Sequence, residues 1–192
     1  MQLEIYEWEN IWWEHTENET AKRALYIGDS ISCGTRYFAN QVAKGTWLFD
    51  GFGTSKALDN PYFKKSLLCF MEQQVRRDAV LFNNGLHGWH LSEEEYKTQY
   101  RQMLEYLITH TNAPIYIVST TNDANDTDKN KRVIERNRIA RKLADEFKFP
   151  YIDLYAISVA NRGLHLEDGI HFTDQGYALL AENILKVIGE VN

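Results

Sequence analysis

Short apolar segments alternate with amphipathic segments along most of the chain. Five apolar segments have the length and composition of strands buried on both faces: 23–29, 46–50, 78–82, 114–119 and 150–155. Apolar residues at helical spacing follow each of them and predict helices over 30–44, 62–77, 93–109, 129–147 and 174–188. This alternation predicts an α/β fold, a three-layer α/β/α sandwich around a parallel sheet of about five strands.

Residues 1–22 do not share this alternation, and their polar sequence predicts an irregular N-terminal arm. Trp8, Trp12 and Trp13 lie close together in this arm. We favour a lid or edge segment that packs onto the domain; the alternative is an aromatic platform for a sugar or an acyl chain. The chain has 192 residues without an internal repeat or linker, so we expect one domain over residues 1–192.

Polar, glycine-containing loops follow the predicted strands, and the carboxyl ends of parallel strands meet at the edge where open α/β sheets bind ligands. Ser30 stands at the first of these turns, before a helix whose N-terminal amides can hold an oxyanion. A serine needs a base, and a histidine oriented by a carboxylate is the usual one. Asp168 and His171, three residues apart before the last helix, can face one side of their loop.

A tetrahedral oxyanion needs several hydrogen-bond donors. The backbone amides of Ser30 and Gly53 are candidates, because a glycine allows close approach to the backbone. A third donor can come from His87 or from Asn84. Asp29, Trp89 and His165 lie in the same loops and are further candidates for substrate contact.

Two of these segments resemble motifs of the SGNH, or GDSL, hydrolase family. Residues 28–31 (Gly-Asp-Ser-Ile) resemble its first block, and residues 168–171 (Asp-Gly-Ile-His) resemble the last block with the Asp and His of its triad. Gly53 resembles the second-block glycine that donates to the oxyanion, with Gly51 as the competing choice. The third block usually reads Gly-x-Asn-Asp; here Gly-Leu-His-Gly at 85–88 puts His87 at the position of the Asn donor.

The resemblance implies a three-layer α/β/α fold, no cofactor, and ester hydrolysis through an acyl-serine. We therefore predict an esterase for short-chain or carbohydrate O-acetyl esters, with a small-molecule or saccharide ester as its partner. An acyltransferase with the same triad and a non-catalytic carbohydrate- or lipid-binding protein are alternatives. A further alternative is a metal-dependent hydrolase with ligands among His87, His90, His165, Asp168 and His171.

Composition and charge limit which other classes of protein the chain can belong to. The net charge is −6 and the sequence shows no basic face, so we expect no binding to nucleic acid. Cys33 and Cys69 are too few for a disulfide framework and lack the spacing of a metal pair, although Cys33 can line the site. No apolar segment has transmembrane length, so we expect no membrane insertion. The acidic N-terminus is unlike a signal peptide and predicts a cytoplasmic protein.

Overall fold

The structure, a computed structural model, describes residues 2–74 and 76–190. Within these ranges one six-stranded sheet has the order β1-β3-β2-β4-β5-β6. Its strands are β1 (Glu9–Trp12), β2 (Lys22–Gly28), β3 (Trp47–Thr54), β4 (Ala79–Phe82), β5 (Ile115–Val118) and β6 (Tyr151–Ile152). Strands β2 to β6 pair in parallel, and β1 is antiparallel to β3.

Helices cover both faces of this sheet. They are α1 (Ser30–Val42), α2 (Pro61–Gln73), α3 (Glu93–His110), α4 (Thr127–Phe147), α5 (Leu154–Ala160) and α6 (Asp174–Glu190), with a 3₁₀ turn at Arg162–Leu164. The core around α2, α3 and α4 lies on one face, and the core around α1 and α6 lies on the other. The predicted three-layer α/β/α fold is confirmed. None of the described helices combines the length and the apolar character that crossing a membrane requires.

Alternate residues of each central strand enter opposite cores. On β2, Leu25 and Ile27 pack with α2 and α3, whereas Ala24 and Tyr26 pack with α1 and α6. Side chains of a strand point to opposite faces with a period of two, so a strand covered on both faces is apolar throughout. This explains why the central strands read as unbroken apolar runs in the sequence.

The N-terminal arm differs from the prediction. Residues 9–12 form β1, which pairs with β3 from Glu9↔Thr54 to Trp12↔Gly51. All four residues of β1 are exposed, so their sequence lacks the apolar alternation that signals a half-buried strand. Trp13 stacks on Phe70 of α2, with ring centroids 3.8 Å apart, which agrees with the packing role that we favoured for this segment.

Two other boundaries differ from the sequence prediction. Strand β3 continues to Thr54, so residues 51–54 lie in the sheet rather than in a loop. Strand β6 ends at Ile152, and Asp153 caps α5 by accepting a hydrogen bond from the amide of Ala156 (3.0 Å), whereas the sequence predicts a strand through residue 155. The predicted helix over 62–77 ends at Gln73, and its Val75 lies outside the described residues.

Gly34 allows α1 and α6 to approach closely. A Cβ atom at this position would overlap the ring of Tyr177, which also stacks against Phe38. The glycine lowers the intrinsic helix propensity of α1, but the packing between the two helices requires it.

We expect Gly34→Ala to lower the free energy of unfolding by about 2 kcal/mol, because the methyl group forces Tyr177 out of its packed position. Gly189→Ala is the matched control, because nothing lies within 4 Å of its added Cβ, and it should raise stability by about 0.5 kcal/mol. Urea denaturation of both variants measures the difference. Equal effects would contradict the packing role of Gly34.

Candidate active site

Ser30 begins α1 immediately beyond the end of β2. The preceding residue, Asp29, is buried and caps the helix: its Oδ1 accepts hydrogen bonds from the amides of Ile31 (3.0 Å) and Ser32 (3.4 Å). The hydroxyl of Ser32 donates to the carbonyl of Asp29 (2.6 Å). These bonds close the first turn of the helix and hold Ser30 at its N-terminus, where the helix dipole favours negative charge.

His171 and Asp168 lie in the loop before α6. Oδ1 of Asp168 accepts the backbone N–H groups of Ile170 and His171, each at 2.9 Å. Oδ2 of Asp168 lies 2.6 Å from Nδ1 of His171, and Nε2 of His171 lies 2.9 Å from Oγ of Ser30. The structure thus joins the three side chains in one hydrogen-bonded series, although Ser30 and His171 are 141 residues apart.

The series keeps Asp168 ionised. The hydrogen bond from His171, helped by the amides of Ile170 and His171, lowers the pKa of Asp168 from 3.8 to about 2. An ionised carboxylate on Nδ1 holds the imidazole tautomer whose Nε2 can accept a proton. The side chains of Asp168 and His171 are 49% and 38% exposed, so the pair is open to solvent and to large ligands.

The loop after β5 supports the loop of Asp168. Nδ2 of Asn125 donates to the carbonyl of Glu167 (2.8 Å), and the amide of Ala124 donates to the carbonyl of Gly169 (2.8 Å). Gly169 has φ +72°, and a Cβ atom there would overlap the side chain of Asn125. This role of Asn125 could not be predicted from the sequence, because one Asn in a polar loop has no distinguishing pattern.

Arg136 holds the loop that contains His87. Its fully buried guanidinium donates to the carbonyls of Gly85 (3.0 Å), His87 (2.7 Å) and Gly88 (2.8 Å). The same guanidinium lies against two rings, 4.6 Å from the centroid of Trp89 and 4.5 Å from that of Tyr96. The role of Arg136 could not be predicted from the sequence, since it is one basic residue among several on a polar helix.

The N-terminal arm reaches the same loop. Oε1 of Glu4 accepts the amide of Gly88 (2.9 Å) and lies 3.6 Å from Nδ1 of His87. The ring of Trp8 meets that of His87 edge to face, with centroids 6.2 Å apart. Nothing in the sequence signals a contact between residues so far apart, and it was not predicted.

Gly53 and Asn84 occupy structural positions. In an antiparallel ladder, hydrogen-bonded pairs alternate with non-bonded pairs. The amide of Ser55 donates to the carbonyl of Trp8 (3.2 Å), which makes Trp8–Ser55 a hydrogen-bonded pair. The Glu9–Thr54 pair is then non-bonded and the Asn10–Gly53 pair is bonded, so the N–H of Gly53 points to β1. Asn84 is buried, and its Nδ2 donates to the carbonyl of Lys56 (3.3 Å).

Cys33 and His165 lie near these loops, and both have neighbours within the protein. A Cβ atom on Gly53 would overlap the sulfur of Cys33, which places Cys33 beside β3. Burial raises the pKa of the Cys33 thiol to about 11, so the thiol stays protonated. His165 lies against Phe172, with ring centroids 4.3 Å apart, and its Nδ1 is 3.2 Å from the carbonyl of Arg162.

The predicted substrate contacts thus have protein partners. The buried carboxylate of Asp29 caps α1, and the ring of Trp89 covers the guanidinium groups of Arg132 and Arg136. This placement disfavours both Asp29 and Trp89 as substrate contacts.

Among the described residues, no group of three or more His, Cys, Asp or Glu side chains could hold a metal ion, so the metal-dependent alternative lacks a ligand set. His90, one of its candidates, faces Asp59 instead, with Nε2 and Oδ2 3.2 Å apart.

Several solved structures share this fold. An acetyl xylan esterase, AlAXEase, has a TM-score of 0.67 at 17% identity, over 86% of this chain and 99% of that chain. The lipase/acylhydrolase from Enterococcus faecalis has a TM-score of 0.71 at 16% identity, over 88% and 96%. The C-terminal catalytic domain of the Streptococcus pneumoniae peptidoglycan O-acetyltransferase A has a TM-score of 0.68 at 15% identity, over 88% and 96%.

No curated protein matches the chain by sequence at a significant level. Residues 26–179, which include both predicted motifs, match the GDSL-like Lipase/Acylhydrolase family. This match confirms the resemblance stated from the sequence and the prediction of a GDSL-type esterase. The chain belongs to the GDSL-like lipase/acylhydrolase family.

Proposed function

We propose that the protein hydrolyses esters through a covalent acyl-serine formed on Ser30. The observation that carries this proposal is the continuous series of hydrogen bonds from Ser30 Oγ to His171 Nε2 and from His171 Nδ1 to Asp168 Oδ2. A serine hydroxyl is activated when a base within hydrogen-bond reach removes its proton, and here the base is itself oriented by a carboxylate.

His171 takes the proton of Ser30 while Oγ attacks the ester carbonyl. Asp168, ionised throughout the physiological range, stabilises the imidazolium that forms. His171 then donates its proton to the leaving alcohol, and an acyl-serine remains. Water attacks the acyl-serine with His171 as base again, which releases the acid and restores Ser30.

The oxyanion of the tetrahedral intermediate lies at the N-terminus of α1 in this mechanism. The amide of Ser30 is one donor, and the side chain of His87 is the second. Support for His87 comes from its loop, which Arg136 and Glu4 hold in place, since preorganised donors stabilise a transition state most. The sequence offers Gly53 as a further donor and Asn84 as the alternative to His87. The backbone N–H of Gly53 points to β1, and the side-chain Nδ2 of Asn84 donates to the carbonyl of Lys56, so we leave out Gly53 and favour His87 over Asn84.

We propose a short acyl group on a polar or sugar-like alcohol as the substrate. The exposure of Asp168 and His171 favours an open site that accepts a large alcohol. Two proteins with similar folds, an acetyl xylan esterase and a peptidoglycan O-acetyltransferase, are named for O-acetyl chemistry on saccharides. Transfer to a second alcohol is the alternative reaction, and the O-acetyltransferase is the observation that favours it.

Treatment with a fluorophosphonate should add one phosphonyl group to the wild-type protein and none to Ser30→Ala, as measured by intact mass. Ser32→Ala is the matched control and should still react, because the Ser32 hydroxyl is buried and donates to the carbonyl of Asp29. An unlabelled wild-type protein, or labelling retained in Ser30→Ala, would contradict the role of Ser30.

His87→Ala should lower kcat on p-nitrophenyl acetate by about 10²- to 10³-fold, the usual cost of one oxyanion donor. His110→Ala removes an imidazole that stacks on Tyr106 at the end of α3, and it should leave kcat unchanged. A comparable loss in Asn84→Ala, with His87→Ala active, would transfer the donor role to Asn84.

Titration of the Asp168 carboxyl carbon by NMR should give a midpoint near pH 2 in the wild type. The depressed pKa means that the bond to His171 is complete above about pH 4 and is lost as the pH falls toward 2. In His171→Ala the midpoint should rise toward 3.8 but stay below it, because the backbone amides still donate. An unchanged midpoint in this variant would show that the imidazole does not hold the carboxylate.

A further inference from the structure

A strip of neighbouring side chains, which we call the groove, runs away from Ser30 between α1 and the N-terminal segment. On α1, Ser30, Cys33 and Tyr37 are three or four positions apart and therefore lie on one side of the helix. On the N-terminal segment, Trp8 and Trp12 are four positions apart along an extended chain, so their side chains point to one face. Strand β3 lies between these two walls.

Two glycines of β3 lie beneath this groove, and side chains of its two walls cover them. A Cβ atom on Gly53 would overlap the sulfur of Cys33 and would lie 3.4 Å from the ring of Trp8. A Cβ atom on Gly51 would overlap the side chain of Arg36, whose guanidinium carbon lies 5.2 Å from the ring centroid of Trp12. The groove is therefore a continuous series of neighbours that begins beside Ser30 and ends at Trp12.

The far end of the groove opens into a cleft of about 390 Å³. Its lining includes Trp12, Glu14, Arg36, Tyr37, Asn40 and Gln41. Two large aromatic residues of this lining are exposed to solvent: Trp12 is 50% exposed and Tyr37 is 57% exposed. Exposed aromatic rings beside a cleft are typical of a ligand-binding surface.

Polar groups hold the Trp12 ring in place. Oε2 of Glu14 accepts hydrogen bonds from Nε1 of Trp12 (2.8 Å) and from Nδ2 of Asn40 (3.1 Å). Nδ2 of Asn40 also donates to the carbonyl of Phe49 (3.0 Å). Arg36 is more than nine-tenths buried, and its Nε has no hydrogen-bond partner among the described residues. The cleft is thus a preorganised surface that combines aromatic faces with charged and amide groups.

This chemistry selects between an acyl chain and a saccharide. The described residues that line the cleft include no aliphatic side chain, which disfavours an acyl chain. A sugar ring presents C–H groups to an aromatic face and hydroxyl groups to carboxylate, guanidinium and amide side chains, and the cleft offers all four. The seven residue-to-residue steps from Ser30 to Tyr37 span about 10 Å along the helix, a distance that a short oligosaccharide covers.

We propose that the groove binds the saccharide chain that carries the ester. The ester lies at Ser30, and a more distant sugar ring packs on Trp12 and Tyr37. This inference rests on the proposed function, because it places the reacting ester at Ser30, and it adds a binding site for the unreactive part of the substrate.

The test compares partially acetylated xylotetraose and cellotetraose with p-nitrophenyl acetate as substrates. In Trp12→Ala and in Tyr37→Ala, KM for the preferred tetrasaccharide should rise about tenfold with kcat unchanged, because each variant loses one stacking face. Both kinetic constants for p-nitrophenyl acetate should stay at wild-type values, since this ester is too short to reach the cleft. Trp12→Phe keeps an aromatic face and should recover most of the affinity.

Tyr62→Ala is the matched control. Tyr62 is a similarly exposed aromatic residue, but it lies on α2 at the opposite face of the sheet. This variant should leave all constants unchanged. Wild-type values for p-nitrophenyl acetate in the groove variants would also show that the site at Ser30 remains folded.

Three results would overturn the proposal. The first is an equal kcat/KM for both tetrasaccharides and for p-nitrophenyl acetate in the wild type. The second is an unchanged KM for the tetrasaccharide in both groove variants. The third is a loss of activity confined to p-nitrophenyl decanoate, assayed as an additional substrate, which would assign the groove to an acyl chain. Each of these outcomes leaves Ser30-dependent hydrolysis of p-nitrophenyl acetate intact. Loss of that hydrolysis in the wild type would instead refute the proposed function.

Discussion

Parallel pairing of β2 with β3 and β4 is the constraint on which the rest of the structure depends. It sends the loops that follow these strands to one edge of the sheet. The end of β2 leads into α1 through the buried cap of Asp29, so Ser30 stands at a helix N-terminus on that edge. The loop of Asp168 and His171 joins the same edge, and the two segments meet through one hydrogen bond of 2.9 Å.

Polar side chains anchor the loops at this edge. Arg136 binds three carbonyls around His87, Asn125 binds the carbonyl of Glu167, and Glu4 binds the amide of Gly88. Loops supported in this way lose little freedom when a substrate binds, and donors that are already oriented stabilise developing charge without a cost of reorganisation. The three anchors come from α4, from the loop after β5 and from the N-terminal arm, so the site depends on distant parts of the chain.

Helix α1 has two tasks in this arrangement. Its N-terminus presents Ser30, and its side facing β1 contributes Cys33, Arg36 and Tyr37 to the groove. Strand β1 contributes the opposite wall because it pairs antiparallel to β3 and brings Trp8 and Trp12 over two glycines. An edge strand added to the parallel sheet therefore supplies the second wall of the groove beside Ser30.

The sequence by itself determined the layered fold and predicted that Ser30, Asp168 and His171 come together, because strand burial leaves an apolar pattern and because short local motifs bring reactive groups to strand ends. Strand β1 could not be predicted, since its residues are exposed and only the ladder with β3 stabilises it. Arg136, Glu4 and the direction of the Gly53 amide were also decided by tertiary structure alone. The physical reason is that these features are contacts between distant segments, and such contacts leave no periodic signal along the chain.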